Sequence, residues 1–174
     1  MFANPETILS QLGLKPGMHV ADLGAGSGFY ALAAARLVGA KGRVYAVEVQ
    51  KDLLDRVKNN ATREGLHNVE VVWGDIESHG GTRLRDGTMD KAIISNTLFQ
   101  IEDKEKFARE AARILKSGGE ALIVDWSDSG DISGPDPKHV VGKTDAQALF
   151  ERAGLHFSRE VPAGSHHYGL IMVK

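Results

Sequence analysis

The chain is expected to fold as a doubly wound α/β domain: a seven-stranded sheet, mostly parallel, ending in a C-terminal antiparallel hairpin. Three observations carry this expectation. Short apolar runs alternate with segments of helical period from residue 19 to residue 154, the pattern of strands joined by crossover helices. The first run passes into a helix through the glycine-rich turn Asp22-Leu23-Gly24-Ala25-Gly26-Ser27-Gly28. The last two runs are separated only by Pro162-Ala163-Gly164-Ser165, which is too short for a parallel crossover and requires an antiparallel pair.

Each element has a local reason. Asn4-Pro5 supplies a helix N-cap followed by proline at the first helical position, and Gly13 closes the helix. Ile8, Leu9 and Leu12 share one face, so this short helix should dock on the domain. After the turn Lys15-Pro16-Gly17 comes a strand, His19–Leu23, and then Phe29–Val38, a helix apolar nearly all round and therefore expected to be buried. Residues 44–47 form the second strand. The helix over 51–64 carries Leu53, Leu54, Val57 and Ala61 on one side and stops at Gly65. Val69–Trp73 is the third strand, followed by a polar stretch around Gly80-Gly81 that supports a weak helix at best.

The fourth strand is 92–95. The helix over 104–115 turns Phe107, Ala108, Ala111 and Leu115 inward and stops at Gly118-Gly119, before the fifth strand at 121–125. Residues 127–143 break the rhythm with two prolines and several acids, and a loop this long is usually functional. Thr144-Asp145-Ala146-Gln147 reads as a capping box opening a helix that runs to Ala153. Residues 155–161 and His167–Val173 complete the hairpin. No repeat or internal boundary is visible, so 1–174 reads as a single domain.

Composition narrows the function. Lys+Arg 21 against Asp+Glu 23 gives a net charge of -2, and without a long basic run no nucleic-acid partner is expected. Cysteine is absent, which excludes disulfides, a cysteine nucleophile and thiolate metal ligation; no metal site is expected. The N-terminus has neither the basic start nor the apolar run of a signal peptide. The most apolar stretch, 31–40, is interrupted by Arg36 and is too short to span a bilayer. A cytoplasmic protein without membrane contact, monomeric or homodimeric, is the expectation.

The glycine turn carries the chemistry. Glycines there let the chain turn tightly and let a ligand approach the main chain, while the following helix aims its free amides at whatever sits above. The nicotinamide fingerprint G-x-G-x-x-G would want glycine at Phe29. Here the spacing is G-x-G-x-G, with Asp22 two residues ahead of the first glycine. A buried carboxylate repels a diphosphate but pairs with an ammonium group, so a cofactor with a positive end is favoured over a dinucleotide.

On these residues, and on the motifs that follow, the sequence resembles the class I S-adenosylmethionine-dependent methyltransferases, whose fold is Rossmann-like. The likeness runs from about Gly17 to Trp126. It implies that the first loop, at Asp22, Gly24, Ala25, Gly26 and Gly28, holds the methionine part of S-adenosylmethionine. Glu48, ending Val44-Tyr45-Ala46-Val47-Glu48, matches the acid that holds both ribose hydroxyls, and Val49 flanks the adenine. Val71-Val72-Trp73-Gly74-Asp75-Ile76 resembles the adenine-reading segment, with Asp75 accepting from the exocyclic amine and the Ile76 amide serving a ring nitrogen. Asp90-Lys91-Ala92-Ile93-Ile94-Ser95-Asn96 resembles the fourth-strand motif, whose end at Ser95 borders the methyl-transfer site. Residues 111–119 are similar to the common R-x-L-K-P-G-G approach to the fifth strand, with Ser117 in place of proline. Phe99-Gln100 stands where many small-molecule members carry a histidine pair. The N-terminal helix, 1–14, should lie on the cofactor side.

The methyl acceptor belongs at the carboxyl ends of the strands. Asn96, Phe99, Trp126 and Tyr168 are the expected rim, and Asp125, His166 and His167 are the candidate bases for an acceptor that arrives protonated. Residues 1–12 and 127–143 are expected to be mobile without ligand and to become protected when the site fills. The fourth strand ends Ser95-Asn96-Thr97-Leu98 rather than in the Pro-Pro-aromatic motif of enzymes that methylate base or glutamine amino groups, and the lack of cysteine excludes thiol capture of trivalent arsenic. A small-molecule acceptor is favoured. A protein-carboxyl or other macromolecule methyltransferase, an inactive S-adenosylmethionine-binding partner and, last, a dinucleotide oxidoreductase are the alternatives.

Overall fold

In the computed structural model, which describes residues 4–127 and 134–174, strands and helices alternate in the expected order. They are α1 (Pro5–Leu12), β1 (His19–Leu23), α2 (Phe29–Val38), β2 (Arg43–Glu48), α3 (Lys51–Arg63), β3 (Val69–Trp73), β4 (Met89–Ser95), α4 (Lys104–Ile114), β5 (Leu115–Trp126), α5 (Lys143–Arg152), β6 (His156–Glu160) and β7 (His167–Val173). The seven-stranded sheet has the order β3-β2-β1-β4-β5-β7-β6. The first five strands pair in parallel; β7 runs antiparallel to both β5 and β6. The order therefore reverses between β1 and β4, where successive loops turn to opposite faces and leave a crevice.

Two cores flank the sheet. On one face α1 and α2 press Ile8, Leu9, Leu12 and the alanine-rich surface of α2 against Val20, Val44 and Leu122. On the other, α4 and α5 cover Ala21, Ile94 and Ile123, with Phe107 and Phe150 packed edge to face at 6.3 Å between ring centroids. Asn4 caps α1 as its sequence suggests, accepting from the Glu6 amide at 2.9 Å, and Gly13 closes the helix in the left-handed region.

Four local expectations need correction. β4 begins at Met89 and β5 at Leu115, earlier than the apolar runs suggest, because both strands pair across a register shift near Met89. Leu115 is thus a buried strand residue rather than the end of α4. Thr144 does not cap α5: the helix begins at Lys143, after Gly142, with no side-chain cap. The stretch between β3 and β4 contains turns and no helix among the described residues.

That stretch is held instead by a buried ionic brace. Glu110 on α4, 1% exposed, accepts from the amides of Gly80 and Thr82, from the Thr82 hydroxyl and from Arg113. Gly81 then lies so close to the Asp75 carbonyl that a Cβ there would sit 1.9 Å from its oxygen. The brace on α4 thereby fixes the turn that follows β3.

Candidate active site

The crevice opens at the carboxyl ends of β1, β2, β4 and β5, and two cavities lie there on either side of the glycine loop. The loop is fixed by its neighbours. Gly24 and Ala25 both donate to the Val47 carbonyl, and Gly28 adopts φ +84° with its would-be Cβ 2.8 Å from Val57 on α3. Only glycine fits that conformation and that approach.

The smaller cavity, about 190 Å³, lies between the ends of β2 and β4 and is bordered by Gly24, Glu48, Val49, Asp75, Ile76 and Thr97. The Glu48 carboxylate accepts from the amides of Gly26, Val49 and Gln50 at 2.9–3.0 Å, so it ties the loop after β1 to the loop after β2. Asp75 is exposed and organises its own turn, accepting from the Glu77 amide and the Ser78 hydroxyl. The Ile76 amide has no partner among the described residues. Val49 is exposed, and its carbonyl accepts from the Trp73 indole at 3.0 Å.

The larger cavity, about 440 Å³, is bordered by Asp22, Ala25, Ser95, Asn96 and His167, with walls from α1, α2 and the turn before β7. Asp22, 2% exposed, is pushed up to about 7 by burial, partly offset by a bond from the Ala31 amide and reinforced by the nearby Glu48 charge. Its Oδ2 is buried without a partner among the described residues, as is the Ser95 hydroxyl oxygen. Unpaired buried polar atoms cost about 1–3 kcal/mol each, and two facing one cavity mark a place built for a ligand. Asn96 sits at φ +53°, a conformation that concentrates at functional sites, and its Oδ1 lies 2.9 Å from His167 Nε2. The His167 ring packs on Trp126, 4.3 Å between centroids, because the register sets Trp126 opposite His167.

Several of the expected site residues border neither cavity. Asp125 is fully buried, with Oδ2 accepting from the Thr97 and Leu98 amides and Oδ1 from the Trp126 amide. Burial raises its pKa against those three amides. It shapes the turn after β4 and borders neither cavity. Tyr168, one residue beyond His167 on β7, faces the opposite side of the sheet, where its ring joins the α4–α5 core and its hydroxyl donates to the Val141 carbonyl. The strand period forces this: neighbours cannot share a face.

Phe99 lies half-buried in the short turn Leu98–Gln100; its neighbour Gln100 borders the smaller cavity, and Phe99 itself does not. His166 lies in the turn before β7, where its carbonyl accepts from Ser127. Of the expected lid, residues 1–3 and 128–133 lie outside the described residues; Pro5 and Ile8 of α1 border the larger cavity.

Sequence reasoning missed Phe29 and Tyr30. Phe29 is 72% exposed despite the apolar character of its helix. Both residues border the larger cavity. The available signal was position: a helix that starts immediately after a ligand-binding loop presents its first turn to the ligand.

A family model described as a methyltransferase domain matches residues 14–154. The chain is similar to a crystal structure of a SAM-dependent methyltransferase from Aquifex aeolicus, with 32% identity, a TM-score of 0.88, and 97% of this chain and 88% of that one covered. It is 38% identical over 117 residues to an arsenite methyltransferase of Aquipseudomonas alcaligenes, covering 64% of this chain and 34% of the relative. It is 34% identical over 116 residues to a ubiquinone/menaquinone biosynthesis C-methyltransferase of Klebsiella pneumoniae, covering 66% and 45%. The chain thus spans under half the length of these two curated relatives. Among the described residues, no helix is long and apolar enough to cross a membrane and no group of side chains could hold a metal ion.

Proposed function

Since this chain belongs to the S-adenosylmethionine-dependent methyltransferases, we propose that it binds S-adenosylmethionine across the two cavities and transfers the methyl group to a small-molecule acceptor. The observation that carries this is the Asp22 carboxylate, buried with one oxygen unpartnered beside the glycine loop. A charge in that position needs a cation, and the cofactor's α-ammonium group is one. The orphaned oxygen, the open space above Gly26 and the Glu48 carboxylate bordering the neighbouring cavity fit the group from end to end.

In this reading Asp22 and the loop Gly24–Gly28 hold the methionine end, Glu48 the ribose, and Val49, Asp75 and the Ile76 amide the adenine. When bound, the cofactor supplies a methyl group made electrophilic by a positively charged sulfur. The chain's own contribution is positioning, which is worth much of the rate in a direct displacement. Ser95 and Asn96 sit where β4 ends against the larger cavity, and Trp126 packs His167 from behind. His167 takes the proton of an acceptor that arrives protonated. Arsenite is not proposed as the acceptor, because trivalent arsenic is held by thiolates and these 174 residues include no cysteine.

Calorimetry tests the reading. S-adenosylmethionine and its demethylated product are expected to bind with micromolar-range affinity and to raise the melting temperature by linkage; binding of NADH in their place would refute the assignment. A labelled-cofactor screen of metabolite pools then finds the acceptor, and label appearing only in protein or RNA would overturn the small-molecule reading.

The pH dependence is a second test. Asp22 ionises near 7 in the free protein, and only its charged form pairs with the ammonium group. Affinity is therefore expected to rise between pH 5.5 and 7.5, by at most about tenfold per unit. Asp22→Asn should flatten that slope; an unchanged slope in the folded variant would place the ammonium elsewhere.

A further inference from the structure

The larger cavity has a part that the cofactor reading leaves unassigned. Away from Asp22, Ser95, Asn96 and His167 its walls are Pro5, Ile8, Ala25, Phe29, Tyr30, Val124 and Ala163, which are apolar except for one phenol hydroxyl. Tyr30 is mostly buried; its hydroxyl lies beside Ser95 and within electrostatic reach of Asp22. Ser95 Oγ is itself buried and makes no well-formed hydrogen bond among the described residues, so its contact with Tyr30 is a loose one. Two hydroxyls thus stand together beside an apolar wall, with hydrogen-bonding capacity to spare.

The charges around them restrict what they can meet. No lysine or arginine borders the cavity among the described residues, and His167, which does, must be neutral to act as the base assigned above. An acceptor carboxylate or phosphate would therefore be buried beside Asp22 with no fixed counter-charge, which is strongly unfavourable. A cationic acceptor would compete for Asp22 with the ammonium group of the cofactor. What remains is a molecule without charge, apolar over most of its surface, with an oxygen for the hydroxyl pair.

We propose that Tyr30 and Ser95 form an acceptor-recognition subsite that selects a neutral, largely apolar small molecule through a single hydroxyl or carbonyl oxygen. The subsite rests on the methyl-transfer reading above, since it assigns Asp22 to the cofactor. Tyr30 acts as the specificity residue, because its hydroxyl borders the cavity beside Ser95 and a phenol is a neutral donor throughout the physiological range. The sharp turn at Asn96 ends β4 beside Ser95 and holds that hydroxyl at the cavity wall.

The test uses the full chain saturated with S-adenosylhomocysteine and three ring-matched probes, para-ethylphenol, para-ethylbenzoate and para-ethylbenzylamine, with affinities read by ligand-observed NMR titration. The phenol is expected to bind at least about tenfold more tightly than either charged probe. Tyr30→Phe should weaken the phenol by about tenfold, the loss of one buried hydrogen bond, while S-adenosylhomocysteine affinity and melting temperature stay unchanged. Ser95→Ala should weaken the phenol in the same direction.

Equal or tighter binding of the benzoate or the benzylamine overturns the proposal, as does failure of the phenol to bind. A Tyr30→Phe variant that binds the phenol as well as the parent does, or that loses S-adenosylhomocysteine in equal measure, also overturns it. Failure of the parent protein to bind S-adenosylhomocysteine is visible before any probe is added; it refutes the methyl-transfer reading and this subsite with it.

Discussion

Replacing Glu110 with alanine is expected to lower the stability of the domain by about 3–5 kcal/mol, the usual result of removing one partner of a buried ion pair. For a chain of this length that is a fall in melting temperature on the order of 10 °C. Glu110 is almost completely buried and carries five bonds, from two amides, one hydroxyl and two guanidinium nitrogens. Its loss unpairs the Gly80 and Thr82 amides and removes two bonds from the largely buried Arg113 guanidinium, which keeps only Asp86, the Thr82 hydroxyl and the Leu84 carbonyl among the described residues. Thermal and urea unfolding measure the cost; a loss below about 1 kcal/mol would show that the brace is dispensable.

Acid should reproduce the effect. Burial pushes Glu110 up, but Arg113, the Thr82 hydroxyl and the Gly80 and Thr82 amides outweigh it and hold the carboxyl at about 2. A carboxyl depressed in the folded state gives stability that is fully present above its unfolded value, and that is lost as pH falls through the window from about 4.5 toward 2. The Glu110→Gln variant is expected to lack that part of the acid sensitivity. Because the brace fixes Gly81 against Asp75, both variants should also weaken cofactor binding without touching the cofactor.

The second large effect is on affinity. Glu48→Ala is expected to weaken S-adenosylmethionine by about 1–3 kcal/mol through lost charge-assisted bonds, which is about five- to 150-fold in Kd. The lower half of that range is the better expectation. A carboxylate has about four acceptor positions, and three of Glu48's are already taken by the Gly26, Val49 and Gln50 amides. Two ribose hydroxyls therefore displace or share at least one amide. Glu48→Gln separates the roles, since it keeps an acceptor for the loops but loses the charge; it should melt near the parent and still bind weakly. Calorimetry showing unchanged affinity in a folded Glu48→Ala protein would mean that the ribose lies elsewhere.

Much of this protein was legible from local pattern. Helix caps, glycine stops and apolar periods are short-range properties, so α1, β1, α2 and α3 fall close to the positions that their residues predict. The succession of strands and helices along the chain and the loop Asp22–Gly28 follow from alternation and turn chemistry. The acid after β2 falls at a strand end for the same reason.

The sequence could not say which polar side chains are already engaged. Asp125 and Asp22 are both buried aspartates on central strands, yet three amides from the following turns converge on Asp125 while Asp22 keeps an oxygen unpartnered. His167 and Tyr168 are neighbours, and only the register of β7 on β5 decides that the histidine faces the cavity and the tyrosine the core. Glu110 and Arg113 read as an ordinary surface pair on a helix; their burial depends on where the chain between β3 and β4 crosses α4. The sequence by itself thus determined the fold and the glycine-rich loop after β1, because period, caps and turn residues act within a few positions. The tertiary structure alone decided which acid is structural, which histidine faces the cavity and which hydroxyls border it, because those outcomes depend on contacts between residues far apart in the chain.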